Sequence, residues 1–230
     1  MQAVGWERMW AASGVLSVVL FCCGLFFADV IAPGYPALDD PAADVARYFA
    51  DNENEVRALA FFHTLSAVAL VFFAAYLRVV MRRSDPDADG LAALAFGSGI
   101  TAAVFLLLSA LFFRALAEPV VSGDEPVQHA LLLLSYLAGG PAIAVPLAPL
   151  IGAGSLVTVR GGAIPGWVAW LGFFAMVLGV LAATMLLGPA DNNSALFGVL
   201  LVAAGLAFLW VLAASVALVA RAGRGQRRAG

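Results

Sequence analysis

The chain has only two histidines, His63 and His129. Both fall within long apolar runs, where an ionisable side chain is costly and normally faces a packed interior or water. Asp29, Arg114 and Glu118 share that setting. Imidazole and carboxylate together suit a zinc ion. However, no HExxH motif or comparable ligand pair on one helix accompanies them. Two histidines on facing helices could instead ligate a single haem, and the helical rise sets them at depths about 4–5 Å apart. No histidine remains for a second haem. A histidine also admits a pH-sensitive polar site, because its ordinary titration range spans neutrality. The plainest reading of each is an imidazole bonded to a neighbouring helix. The pattern names no catalytic residue and calls for no metal or cofactor, zinc and one haem being the two that it admits.

Arg114 and Glu118 stand four residues apart and can pair along one helix. Asp29 lies in a run whose Leu25-Phe26-Phe27 matches Leu111-Phe112-Phe113. If the two runs reach equal depth, Asp29 can also neutralise Arg114. Two arrangements satisfy these residues. One is a structural ion network tying the first three apolar segments together. The other is a polar pocket open at one end of a bundle.

The elements that must position them follow from composition. Of the 230 residues, 63% are hydrophobic and 12% charged, against roughly 45–50% and 25% in soluble domains. A soluble core of this size cannot absorb that surplus, whereas a bilayer can. Six segments reach the roughly 20 apolar residues that cross a membrane, near 10–31, 57–80, 91–116, 127–157, 167–188 and 195–219. The expected fold is all-α, a six-span bundle forming one integral membrane domain over 1–230. Its breaks are punctuated by Pro33-Gly34-Tyr35-Pro36, Asp85-Pro86-Asp87, Pro119 and Pro126, Gly161-Gly162, and Gly188-Pro189 with Asp191-Asn192-Asn193. The first run is too long for a signal-peptide core and is expected to be retained. Cys22 and Cys23 are adjacent and build no disulfide framework.

All twelve basic residues are arginine, and nine of them fall on one side of a six-span arrangement. The positive-inside rule then places both termini in the cytoplasm of a plasma-membrane protein. Trp6, Trp10, Trp167 and Trp170 sit where an interfacial belt requires them. The tail 220–230 reads as a topology anchor attracted to anionic lipid. Asp39-Asp40-Pro41 reads as a helix start, and Val45, Tyr48 and Phe49 recur at helical spacing. A short amphipathic helix over 41–51 is therefore expected on the outer surface, as a lid on the bundle or a gate to a site. Asn52 to Asn54 should break the chain before the second span. All five ionisable residues then lie in the outer third of spans 1–4, while spans 5 and 6 read as scaffold.

The fourth span is long and contains Gly139-Gly140-Pro141, Pro146 and Pro149. Each proline removes a donor and crowds the preceding turn, so the span should kink or unwind. Transporters use broken helices to bind substrate near mid-membrane. Gly97, Gly99, Gly152, Gly154 and Ser155 are small enough for close helix packing. P-loop, dinucleotide-binding and nucleophile-elbow signatures are absent, as is any chain of acids across the membrane. The net charge of −3 argues against a nucleic-acid partner, leaving membrane lipids as the evident one.

Residues 10–83 carry a more specific pattern: "DPAADVARYFADN" over Asp40 to Asn52, then a span ending Leu77-Arg78-Val79-Val80-Met81-Arg82-Arg83. This resembles a group of small polytopic actinobacterial proteins known only as membrane proteins or domains of unknown function. The resemblance implies a six-span fold and a bacterial source, and it carries over no catalytic residue. The expectation is a non-enzymatic membrane protein binding a small or lipidic ligand at the outer polar end. A transporter built on span 4 and a single-haem redox protein are the alternatives.

Overall fold

Within lipid the backbone has no water to bond, so each apolar run must satisfy its own N–H and C=O groups as helix. The computed structural model describes residues 2–121, 124–187 and 195–229, and among these it contains helices and no strand. They are α1 (Gln2–Phe26), continued by a π-helical turn (Phe27–Ile31), α2 (Ala42–Asp51), α3 (Glu53–Ser84), α4 (Asp89–Leu116) with a 3-10 turn (Pro86–Ala88) before it, α5 (Glu125–Gly139), α6 (Pro141–Arg160), α7 (Gly166–Leu181) continued by a 3-10 stretch (Ala182–Leu187), and α8 (Ala195–Ala229). Among the described residues, six stretches are long and apolar enough to cross a membrane: Trp6–Ile31, Glu53–Ser84, Pro86–Leu116, Glu125–Arg160, Gly166–Leu187 and Ala195–Gly223. α5 and α6 together form the fourth, which is the most buried of the six. The turn expected over Gly188–Asn193 and the side chains of Arg224, Arg227 and Arg228 lie outside the described residues.

Consecutive spans pack side by side, and α8 returns to α1, closing a ring of six in which span 4 also reaches across to α3 and α8. Lipid offers no hydrophobic drive between helices, so close packing and interhelical hydrogen bonds must hold them. Ser17 and Ser66 reciprocate: each hydroxyl donates to the other's carbonyl, at 3.0 and 2.8 Å. Ser215 donates to the Ala11 carbonyl and accepts from the Val15 N–H at 3.1 Å, fastening α8 to α1 beside Gly14. Gly99 packs against Ala74, Gly152 against Met176, and Gly154 against the fully buried Trp210. Gly97, also expected at a close contact, meets open space.

The short amphipathic helix forms over Ala42–Asp51, with Val45, Tyr48 and Phe49 buried. Its start differs from the expected cap. Pro41 occupies the cap position, and Asp40 turns back to accept from the Ala37 N–H at 2.8 Å. The carboxyl therefore closes the preceding turn instead of the helix. The break after α2 is a single residue, Asn52, because α3 begins at Glu53. Val45, Tyr48 and Phe49 join Leu38, Val56, Leu116 and Leu132 in a small core of their own at this end of the bundle, called here the α2 end. The opposite end carries Arg82, which pairs with Asp89 at 3.0 Å, and Arg83, which pairs with Glu7 at 2.7 Å.

Span 4 is interrupted at one point only. α5 ends at Gly139, Gly140 takes φ −101° and ψ −101°, and Pro141 opens α6. Pro146 and Pro149, expected to kink the span as well, lie within the continuous α6. A single proline removes one donor from a helix that the surrounding spans hold in place, whereas Gly-Gly-Pro also removes the side chains that resist unwinding.

Candidate functional site

α1 and α8 touch at Ser215 and again where Phe21 stacks on Phe208 at 4.1 Å. Between them lies a cavity of about 580 Å³, walled by α1, α3, α4, α5 and α8. That volume falls within the range of small-molecule sites, ~300–1,000 Å³. Its apolar walls include Val18, Phe21, Leu25, Leu59, Leu106, Phe113, Leu200, Phe208 and Leu212. Tyr35, Pro36 and Leu38 of the loop before α2 reach its upper part, while α2 itself does not line it. Leu25, Leu201 and Leu209 line the cavity and are exposed on the outside of the bundle, so it opens sideways between α1 and α8.

His63 occupies the inner wall because α3 buries one stripe: Leu59, His63, Ser66, Leu70, Phe73 and Leu77. The imidazole is 4% exposed and lies over Gly24 of α1, where a Cβ would stand 2.7 Å from Cδ2 and 2.9 Å from Nε2. Phe21 stacks on the ring at 4.7 Å, and Phe113 meets it edge-on at 6.3 Å. The Phe21 backbone lies beside the ring. Even so, neither ring nitrogen makes a hydrogen bond of acceptable geometry among the described residues. The bond expected from His63 to a neighbouring helix is thus reduced to this approach to the Phe21 backbone of α1.

Asp29 sits within the π-helical turn of α1, exposed at the cavity rim. π-Helical turns widen the backbone and are frequent at functional sites. The hydroxyl of Tyr48 lies between two carbonyls of this stretch, Ala28 at 3.1 Å and Ala32 at 2.9 Å. Burial, with the nearby Asp29 and Glu55 carboxyls, pushes Tyr48 from 10.0 up to about 12, so the donor keeps its proton. Tyr35 is also raised, first by burial and then by Tyr48, against a hydrogen bond with Ser135 that acts the other way. Ser135 donates to Leu132 at 2.7 Å, and Ser109 crosses from α4 to the Ser135 carbonyl at 3.0 Å. Gly139 packs directly on the Ser109 hydroxyl, so the interruption in span 4 forms part of the cavity wall.

The five ionisable residues named from the sequence do not converge. Asp29 and His63 line the cavity, whereas Arg114, Glu118 and His129 do not. Arg114 pairs with Glu118 on its own helix, and both side chains are more than a third exposed. The pairing of Arg114 with Asp29 that the sequence admitted is not among the ion pairs of the described residues. Arg57 pairs with Glu53 and donates to the Ala117 carbonyl at 3.3 Å, satisfying the last turn of α4. Among the described residues no three of His, Cys, Asp and Glu group as metal ligands. Span 6, read from sequence as scaffold, supplies a whole wall of the site.

Sequence reasoning missed Tyr35, Ser109, Ser135 and the α8 residues. Ser109 and Ser135, as isolated hydroxyls in leucine-rich runs, carried a usable signal. Tyr35 was hidden in loop punctuation, and apolar residues of α8 carry no signal at all. A larger groove of about 910 Å³ runs along α4, α5 and α6 past Pro146 and Pro149, with almost no polar group in its walls.

A ring of six helical spans with a side-opening cavity defines a multi-pass α-helical membrane protein. The family model for a domain of unknown function (DUF4386) matches residues 12–221, and the chain belongs to that family. No curated protein and no solved structure matches the chain.

Proposed function

We propose that the protein is a non-enzymatic membrane component that binds a lipidic ligand in the cavity between α1 and α8. The observation that carries this reading is the cavity's sideways opening between exposed leucines on both helices. A ligand already dissolved in the bilayer could enter there without crossing water. The apolar walls favour a hydrocarbon body, and the few polar groups lie towards the α2 end, where a head group would rest. The nine-to-three arginine distribution supports placing the α2 end on the extracytoplasmic side of the plasma membrane, with both termini in the cytoplasm.

Gly205 provides a direct test. It lines the cavity, and a Cβ there meets nothing within 4 Å, so Gly205→Phe fills the space without disturbing the backbone. Native mass spectrometry of protein released from micelles should show retained lipidic adducts on the wild type and fewer on Gly205→Phe. Equal retention on both would remove the cavity as their seat.

The interruption at Gly140 favours a second reading, a small-solute transporter. Gly139 and Gly140 both line the cavity, and a break in the wall of a site is where α5 could swing against α6. Flux of candidate solutes into proteoliposomes, lost in Gly140→Ala, would support it.

A further inference from the structure

We propose that the cavity selects lipophilic cations, amphiphiles bearing a positive charge on an apolar body. This rests on the lipidic-ligand reading above and adds the charge of the ligand.

Among the described residues, Asp29 is the only carboxyl lining the cavity, and no arginine lines it. The ion pairs among the described residues join Arg47 to Asp44, Arg57 to Glu53, Arg82 to Asp89, Arg83 to Glu7 and Arg114 to Glu118. Asp29 takes part in none of them. A carboxyl near the end of an apolar span is costly unless something answers it, and among the described residues no arginine does so. A bound cation would.

The surrounding rings act in the same direction. Phe21, Tyr35, Phe113 and Phe208 line the cavity, and aromatic faces attract positive charge electrostatically. An anion would meet the carboxyl and the ring faces with no guanidinium to compensate. His63 gives an anion no help, because both its ring nitrogens are sealed from solvent. A neutral head would leave Asp29 unanswered. The rim position of Asp29 also fits the geometry: the charged head stays at the mouth near the α2 end, and the apolar body extends between α1 and α8.

Two probes of nearly identical shape and opposite charge separate these cases: tetraphenylphosphonium and tetraphenylborate. Neutral triphenylphosphine oxide serves as the control. Binding is measured by equilibrium dialysis of the full-length protein in maltoside micelles, with protein-free micelles subtracted. Tetraphenylphosphonium should bind about tenfold more tightly than tetraphenylborate. Asp29→Asn should erase that preference while leaving the neutral probe unchanged, and Asp29→Glu should restore it. Equal binding of the two ions, or an Asp29→Asn variant that still prefers the cation, would overturn the proposal. If the neutral probe then still bound wild type better than Gly205→Phe, the lipidic-ligand reading would survive alone. Loss of all three probes from the wild type, with no difference from Gly205→Phe, would overturn both.

Discussion

His63 is held in place chiefly by shape. Gly24 leaves room for the ring edge, Phe21 covers one face, and neither nitrogen makes a well-aligned hydrogen bond among the described residues, with only the Phe21 backbone beside the ring. A buried polar group without a bond costs about 1–3 kcal/mol. His63→Leu should therefore raise stability, by about 1 kcal/mol, in reversible unfolding with mixed detergent. A drop instead would mean that the imidazole has a partner in the membrane, water or ligand included. Gly24→Val should act oppositely, because its Cβ would meet a ring that Phe21 and Phe113 prevent from moving. Overpacking of this kind costs about 1–3 kcal/mol. The importance of His63 was legible in the sequence, since an ionisable residue within an apolar run must be accommodated somehow. The glycine that accommodates it sits on another helix and carried no mark.

At the scale of elements, α2 and the loop before it are fastened to the end of α1 through Tyr48. Its hydroxyl bridges the Ala28 and Ala32 carbonyls on either side of the π-helical turn. Tyr48→Phe should cost about 1–2 kcal/mol and speed amide exchange across 33–51. Alkali should loosen the same contact. An unfolded tyrosine titrates near 10 and Tyr48 near 12, so the folded chain holds this proton more tightly. Stability from this group is complete below about pH 10 and falls as pH rises from about 10 to 12. An alkaline transition in that range, absent from Tyr48→Phe, is the expected outcome. Gly140 is the other decisive element boundary. A Cβ there would meet the Tyr136 carbonyl at 2.8 Å and Leu200 at 2.9 Å, so Gly140→Ala must either shift α8 or straighten the break.

At the scale of the molecule, the six spans form a ring whose last member closes on its first. Fastened at Ser215 and at the Phe21–Phe208 stack, the α1–α8 seam bounds a cavity whose other walls come from α3, α4 and α5, which makes the cavity a property of the whole bundle. The orientation proposed for it predicts opposite labelling at the two ends. Arg47 on α2 and Asp87 in the turn before α4 are both exposed. With Cys22 and Cys23 replaced, a membrane-impermeant maleimide should label Arg47→Cys in intact cells. It should reach Asp87→Cys only after permeabilisation. The reverse pattern would invert the topology, and labelling of both in intact cells would break the six-span reading.

The sequence by itself determined the elements. Apolar runs of spanning length must be helices, because lipid satisfies no backbone group. The helical spacing of Val45, Tyr48 and Phe49 announced α2, and Gly139-Gly140-Pro141 announced a break in span 4. Only the tertiary structure decided the site. Which of five ionisable residues share a space depends on the rotation of each helix about its axis, and hydropathy does not encode that rotation in a chain apolar on nearly every face. Arg114 and Glu118 turned outward and paired with each other, leaving Asp29 and His63 on one cavity. The wall facing them came from α8, whose residues look no different from those that face lipid.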